Sequence, residues 1–343
     1  MSAGLPSRFS GPGLFDLQLN GYAGFDFNSS PERWTIDDFD RVRAALARRG
    51  IAGALPTLIT AYADSMVARA ARYAEIVARS PALEAAFPLL HVEGPFISSE
   101  KGPRGAHPRR YCITPLAMPG FLARIREASG DRIGILTLAP ELPGALELIR
   151  EAAEAGIRVA IGHTQASAAI IAEAVAAGAS MSTHLGNGSH QLLPRLDNYV
   201  QAQLAEDRLT ASFIADGHHI PWYTLKNFLR AKTLARSILV SDGIAAADIG
   251  PGIFQLGDEQ VEVTPDLRVQ VPGQPNLAGS ALTLDRAVIH VASHCGVSFA
   301  EAWEMASTHA TAFLGLAPRP TVVVQVSDEG FGPSPEEIEA SAG

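Results

Sequence analysis

Eight short apolar runs alternate along this chain with longer amphipathic stretches, and that alternation constrains the fold more than any other feature. The runs are Leu14–Asn20, Ile51–Thr57, Phe87–Val92, Arg132–Leu138, Ile157–Ile161, Ser180–His184, Thr210–Ile214 and Ser237–Ser241. Between them the spacing predicts helices over Ile36–Arg49, Ser65–Arg79, Pro143–Ala155, Ser167–Ala177 and Pro221–Ala231. In the first of these, Ile36, Phe39, Val42 and Leu46 share one helical face. Gly50, Gly156 and Gly178 follow three of the helices, where a left-handed cap is expected. Strands that are apolar throughout and separated by helices form a parallel sheet covered on both faces.

An open doubly wound sheet fits the alternation as well as a barrel does. The count of eight, and the placement of the polar residues, favour a closed (β/α)8 barrel. Gln18/Asn20, His91/Glu93, His163, His184, Asp216 and Asp242 all lie at or just past the carboxyl ends of the predicted strands. A barrel gathers those ends on one face, the face that carries the active site. The 343 residues suit one barrel, which takes about 250 residues, with insertions.

Three stretches depart from the repeat. Residues 100–110 form a Gly/Pro-rich basic loop. Residues 246–276 read as a β-rich insertion after strand eight, with strands at Ile253–Leu256, Gln260–Val263 and Arg268–Val271. The barrel is expected to occupy residues 1–318. Residues 319–343 form a tail with one strand, Thr321–Val326, before a disordered Pro/Glu/Ser-rich end.

Composition narrows the function classes. Lys and Arg total 27 against 36 Asp and Glu, a net charge of −9, which disfavours nucleic acid or an anionic membrane surface as partner. The two cysteines, Cys112 and Cys295, form no CxxC pair, so a zinc ribbon or dithiol redox centre is not supported. No signal peptide or membrane-spanning run is seen, and a soluble cytoplasmic protein is expected.

The strand-end residues carry the chemistry. Glu93, His163 and His184 offer one carboxylate and two imidazoles, a common catalytic zinc set that leaves a position for water. Asp242, on strand eight, can act as general base beside it. Any one of these histidines alone is more often a hydrogen-bonded core residue. Four suitable residues at four strand ends, flanked by glycine or small residues, are far harder to obtain by chance.

The segments Asp16–Gly21, Leu55–Thr60, His91–Phe96, Lys101–His107, Thr137–Glu141, Gly162–His163, Thr183–Leu185, Ala215–His219 and Leu277–Ser280 occur in that order. In this arrangement the chain, from about Gly13 to Leu316, resembles the N-acetylglucosamine-6-phosphate deacetylase branch of the amidohydrolase superfamily. The resemblance implies hydrolysis of the acetamide of an N-acetylhexosamine 6-phosphate and one tightly held divalent ion, expected to be zinc, on Glu93, His163 and His184. It implies Asp242 as the catalytic aspartate and His107 beside the substrate carbonyl. Asn187, Gly188, Arg195, His219 and Gly279 would contact the substrate. Arg195 is placed by its spacing, eleven residues after His184. Gln18 and Asn20 stand where many superfamily members have a His-x-His pair, as a vestigial second metal position. A homodimer is expected.

Two departures from the family pattern stand out. Gly186-Asn187-Gly188-Ser189 replaces an aromatic followed by Asn-Ala-Met, which reshapes the sugar-facing surface. The accessory β-sandwich of relatives is reduced or missing. Competing readings are a related amidohydrolase acting on another N-acyl or cyclic amide without phosphate, and a non-catalytic sugar-phosphate sensor. His190, His218, His290, His294 and His309 receive no role, and Ser98–Lys101 is a chance Ser-x-x-Lys match.

Overall fold

The computed structural model describes residues 4–273 and 277–333. The expected Pro/Glu/Ser-rich end from 334 onward, and residues 274–276 of the insertion, lie outside them. The architecture is the expected one: an eight-stranded parallel sheet wrapped into a barrel, ringed by helices. In order, the barrel strands are Leu14–Leu19, Ile51–Ile59, Leu90–Glu93, Ile133–Leu138, Arg158–Ile161, Ala179–Ser182, Thr210–Ile214 and Ser237–Val240. Each pairs with its sequence neighbour. Strands one and eight close the ring through the Asp242 amide on the Gln18 carbonyl (3.0 Å), the Asn20 amide on the Gly243 carbonyl (2.8 Å) and a bridge between Leu19 and Gly243.

Local signals fix the helix ends. Thr35 and Asp38 form a reciprocal capping box at the start of Ile36–Arg48, satisfying two otherwise orphaned amides. Gly50, Gly156 and Gly178 take positive φ of 70°, 80° and 123°, the backbone that ends a helix without a Cβ penalty. The third strand starts at Leu90 rather than Phe87. Pro88 cannot donate a ladder hydrogen bond, and a short helix, Pro81–Ala86, ends just before it. Helices Phe121–Ser129 and Tyr199–Ala205, and three more between Leu284 and Leu314, complete the ring beyond those the spacing predicted.

Besides a two-stranded ribbon of Gly21–Tyr22 and Phe25–Asp26, two three-stranded antiparallel sheets decorate the barrel. At the mouth, Gly252–Leu256, Glu259–Val263 and Val269–Gln270 form the insertion. It folds over its own small core of Leu256, Val261, Val263 and Val269 against Ile244 and Ala278. Asp26 ties this sheet to the barrel, accepting the Gly257 amide at 3.0 Å and the Asn28 amide at 2.7 Å. The second sheet joins the chain's two ends. Arg8–Pro12, a strand the sequence reading did not anticipate, pairs with Thr321–Ser327, which turns back into Gly330–Pro333. Among the described residues this sheet has three strands.

That terminal sheet is anchored by aromatic packing and one ion cluster. Phe9 packs on Trp303 with centroids 4.9 Å apart, and Trp303 stacks on Phe331 at 5.3 Å. The fully buried Asp285 accepts the Phe331 amide at 2.7 Å and Arg49 Nη1 at 3.2 Å, while Arg49 Nε donates to Asp248 at 2.6 Å. Removing one partner of such a cluster strands the other in a partly desolvated site. Asp285→Ala should therefore cost about 3 kcal/mol in urea unfolding and expose the 321–333 hairpin to proteases. Wild-type stability in that variant would show that the cluster does not hold the sheet.

Candidate functional site

The carboxyl ends of the strands surround a cavity of about 870 Å³. At its floor lies Glu93, buried at the end of strand three. Its Oε1 receives three contacts: Gln18 Nε2 at 3.1 Å, His163 Nε2 at 3.2 Å and His184 Nε2 at 3.0 Å. Burial alone would raise the Glu93 carboxyl, but the two histidines outweigh it and hold the group well below the usual carboxylate range. Strands one, three, five and six thus meet at one oxygen atom.

The ring nitrogens show why a cation suits this point. His163 Nδ1 lies 2.8 Å from the Pro103 carbonyl, which can only accept. With a ring proton on Nδ1, Nε2 is left either to carry a second proton, the ion pair that keeps Glu93 ionised, or to give its lone pair to a metal. His184 Nε2 faces the same oxygen, and its Nδ1 finds no partner among the described residues. His107, on the loop after strand three, places Nε2 3.3 Å from His163 Nε2. Donor atoms of Glu93, His107 and His163 lie within 4.8 Å of one another. That group contains His107 and leaves out the expected ligand His184, which contacts the same Glu93 oxygen; His107 arrives on a loop, and Glu93, His163 and His184 stand at strand ends. Burial, reinforced by His163, pushes the His107 imidazole down to about 3, so His107 stays neutral.

Asp242 stands across the floor at the end of strand eight. Asn20 Nδ2 donates to its Oδ1 at 2.8 Å. Burial, with the Glu93 charge nearby, raises Asp242 to about 6. Gln18 and Asn20 thus turn one amide each onto a carboxylate, Glu93 and Asp242 respectively. The carbonyl oxygens of both amides are buried without a partner among the described residues.

The cavity wall includes Asn187, Gly188, His219 and Gly279. Asn187 Nδ2 donates to the His184 carbonyl at 3.1 Å. His219 Nδ1 bonds Asp216 at 2.7 Å, which fixes the ring. Arg195 is not brought to the wall: it is exposed on the loop between Leu192 and Leu196 and does not line the cavity. Lys101, Tyr111, His190, Asp258 and Glu259 line it instead. The insertion tip reaches in because Tyr111 Oη donates to Asp258 at 2.7 Å, a long-range contact that leaves no local mark in the sequence.

Gly188 has φ +55°, and a Cβ there would stand 2.7 Å from His163 Nδ1 and 3.2 Å from the Pro103 carbonyl oxygen, on the bond that orients His163. Gly188→Ala should keep the fold, by circular dichroism, while weakening metal binding about tenfold or more, as loss of a ligand's orienting partner does. Unchanged metal affinity would show that this loop does not set the His163 ring.

Comparison with known proteins follows the same lines. No family model matches the chain. It is 32% identical over 342 residues to N-acetylglucosamine-6-phosphate deacetylase of Danio rerio, covering 95% of this chain and 80% of the relative. It is 31% identical over 307 residues to N-acetylgalactosamine-6-phosphate deacetylase of Escherichia coli O157:H7, covering 89% and 78%. A mutant N-acetyl-D-glucosamine-6-phosphate deacetylase from Mycobacterium smegmatis, solved in complex with N-acetyl-D-glucosamine-6-phosphate, superposes with a TM-score of 0.85 at 26% identity. That alignment covers 96% of this chain and 88% of the other.

Proposed function

The chain belongs to the N-acetylglucosamine-6-phosphate deacetylase family of the amidohydrolase superfamily, and from that premise we propose how its own residues carry out the reaction. The enzyme hydrolyses the acetamide of an N-acetylhexosamine 6-phosphate, releasing acetate and the amino sugar phosphate. The observation that carries the reading is the convergence of Glu93, His163 and His184 on one point beside a separately held Asp242.

Glu93, His163 and His184 would hold one divalent ion, zinc by their mixed carboxylate and imidazole donors. When bound, that ion makes water acidic and polarises the acetamide carbonyl. Asp242 takes the proton of the attacking water at its carboxylate. It returns that proton to the amine nitrogen as the carbon–nitrogen bond breaks, because an amine leaves only when protonated. Asn20 holds Asp242 Oδ1 for both transfers. The neutral His107 donates a hydrogen bond to the carbonyl oxygen as negative charge builds there. Gln18 commits its amide N–H to Glu93, and a carboxamide is a poorer zinc ligand than an imidazole, which favours one ion over two.

Asn187, Gly188 and His219 bind the sugar phosphate, and Gly279, where a Cβ would stand 2.5 Å from Ile244 Cγ2, presents its backbone at the wall. His219 Nδ1 is committed to Asp216, which leaves Nε2 for the anion. Arg195 adds its guanidinium fork to the phosphate if the 189–197 loop turns inward on binding. A homodimer and a cytoplasmic location complete the proposal. Leu192, Leu196 and Tyr223, each more than 70% exposed, are candidates to be covered by a second copy. Among the described residues no helix is long and apolar enough to cross a membrane.

Two experiments test the proposal. Asp242→Asn should keep fold and metal content while lowering kcat by about 10² to 10⁴, the usual worth of a general acid–base group. Near-normal turnover would remove Asp242 from the reaction. A panel of N-acetylglucosamine and N-acetylgalactosamine, each with and without the 6-phosphate, tests the substrate. Phosphorylated sugars should be preferred, and Arg195→Ala should raise KM for them far more than it lowers kcat. Preference for the free sugars would replace this reading by an amidohydrolase of another N-acyl substrate.

A further inference from the structure

Directly beneath the metal cluster lies a buried polar layer that the mechanism above does not use. His91 precedes Glu93 by two residues on strand Leu90–Glu93, so both side chains point to the barrel axis, His91 one layer lower. His91 is 2% exposed. Its Nδ1 lies 2.9 Å from the Leu17 carbonyl and its Nε2 lies 2.7 Å from Thr137 Oγ1; Thr137 Oγ1 in turn lies 2.6 Å from Thr183 Oγ1.

The proton positions in this chain follow from its one end. A carbonyl only accepts, so Nδ1 of His91 carries the proton and Nε2 is an acceptor. Thr137 must donate to it. A hydroxyl has one hydrogen, so Thr137 can only accept from Thr183. The chain runs Thr183 to Thr137 to His91 to Leu17, every donor matched to an acceptor, across strands six, four, three and one.

Each end touches the metal cluster's own backbone. Leu17 adjoins Gln18, whose amide meets Glu93. Thr183 adjoins His184, which holds a left-handed φ of +31°. Such a backbone is strained and persists only where its surroundings over-determine it. Strand five joins through an absence: a Cβ on Gly162, next to His163, would lie 2.7 Å from Thr137 Cγ2 and 3.0 Å from Thr183 Cβ. Gly162 is therefore small because the threonine pair fills the space above its backbone.

We infer that His91, Thr137 and Thr183 form a positioning layer that sets the spacing of Glu93, His163 and His184 and so tunes the affinity of the metal site. None of the three lines the cavity. The inference rests on the ligand assignment proposed above.

The test is Zn²⁺ affinity, read by competition against a chelating dye on the full chain, beside the melting temperature. Thr137→Val keeps the shape and removes the central hydroxyl. It should weaken Zn²⁺ binding about 10- to 100-fold, the usual effect of losing an outer-shell partner. Thr137→Ser should restore affinity close to wild type. At saturating Zn²⁺, KM in the valine variant should stay near wild type, because the substrate wall is untouched. Should Thr137→Val fail to fold, Thr183→Val removes only the terminal donor and should weaken binding in the same direction. Wild-type Zn²⁺ affinity in a folded valine variant, whatever its melting temperature, would reduce the layer to ordinary core and overturn the inference. A wild-type chain that takes no Zn²⁺ would instead overturn the ligand assignment, and the inference with it.

Discussion

Three side chains from three different strands meet the Oε1 atom of Glu93, and the geometry of the site depends on that shared contact. A lone carboxylate buried this deeply would be expensive. Here Gln18, His163 and His184 all turn a nitrogen to it. The carboxylate stays ionised because these partners outweigh burial. Asp242, nearby but with a weaker set of partners, is pushed the other way, to about 6. Two acids in one cavity are thereby divided into one that attracts a cation and one able to accept and release a proton, the separation that acid–base catalysis requires.

The backbone is bent to make this possible. His163, His184 and Asp242 hold φ of +51°, +31° and +50°, values that side-chain-bearing residues seldom adopt. All three stand where a strand stops and its loop begins, and the turn swings the side chain over the barrel axis. The bends are held by their neighbours. The His184 amide donates to Ser212 Oγ at 2.8 Å and the Asp242 amide to the Gln18 carbonyl at 3.0 Å. Strain at the chemical residues is balanced by satisfied hydrogen bonds directly beneath and beside them.

The barrel was legible because its strands are buried on both faces and read as unbroken apolar runs, and because polar residues cluster at one end of each run. Glu93, His163, His184 and Asp242 stood out for that reason. Gln18 and Asn20 stood out by position, but their orientation toward Glu93 and Asp242 is a tertiary fact that spacing cannot supply. Arg195 shows the opposite limit: a distance along the chain does not say which way a loop turns. The terminal strand Arg8–Pro12 was missed because it is short and its Gly and Pro break the alternation; only pairing with Thr321–Ser327 makes it a strand. The insertion's three strands were readable from alternation and turns. Its reach into the cavity, through Tyr111 and Asp258, was not.

One ion is proposed to sit on Glu93, His163 and His184 rather than on a set completed by His107. A crystal structure of the zinc-loaded protein, with anomalous data at the zinc edge, measures this most directly. A single anomalous peak per chain is expected, with the Glu93 carboxylate and the Nε2 atoms of His163 and His184 each about 2.0–2.2 Å away and His107 free to face the cavity. Two peaks of equal strength, or one peak bound by His107 with His184 left outside its reach, would contradict it.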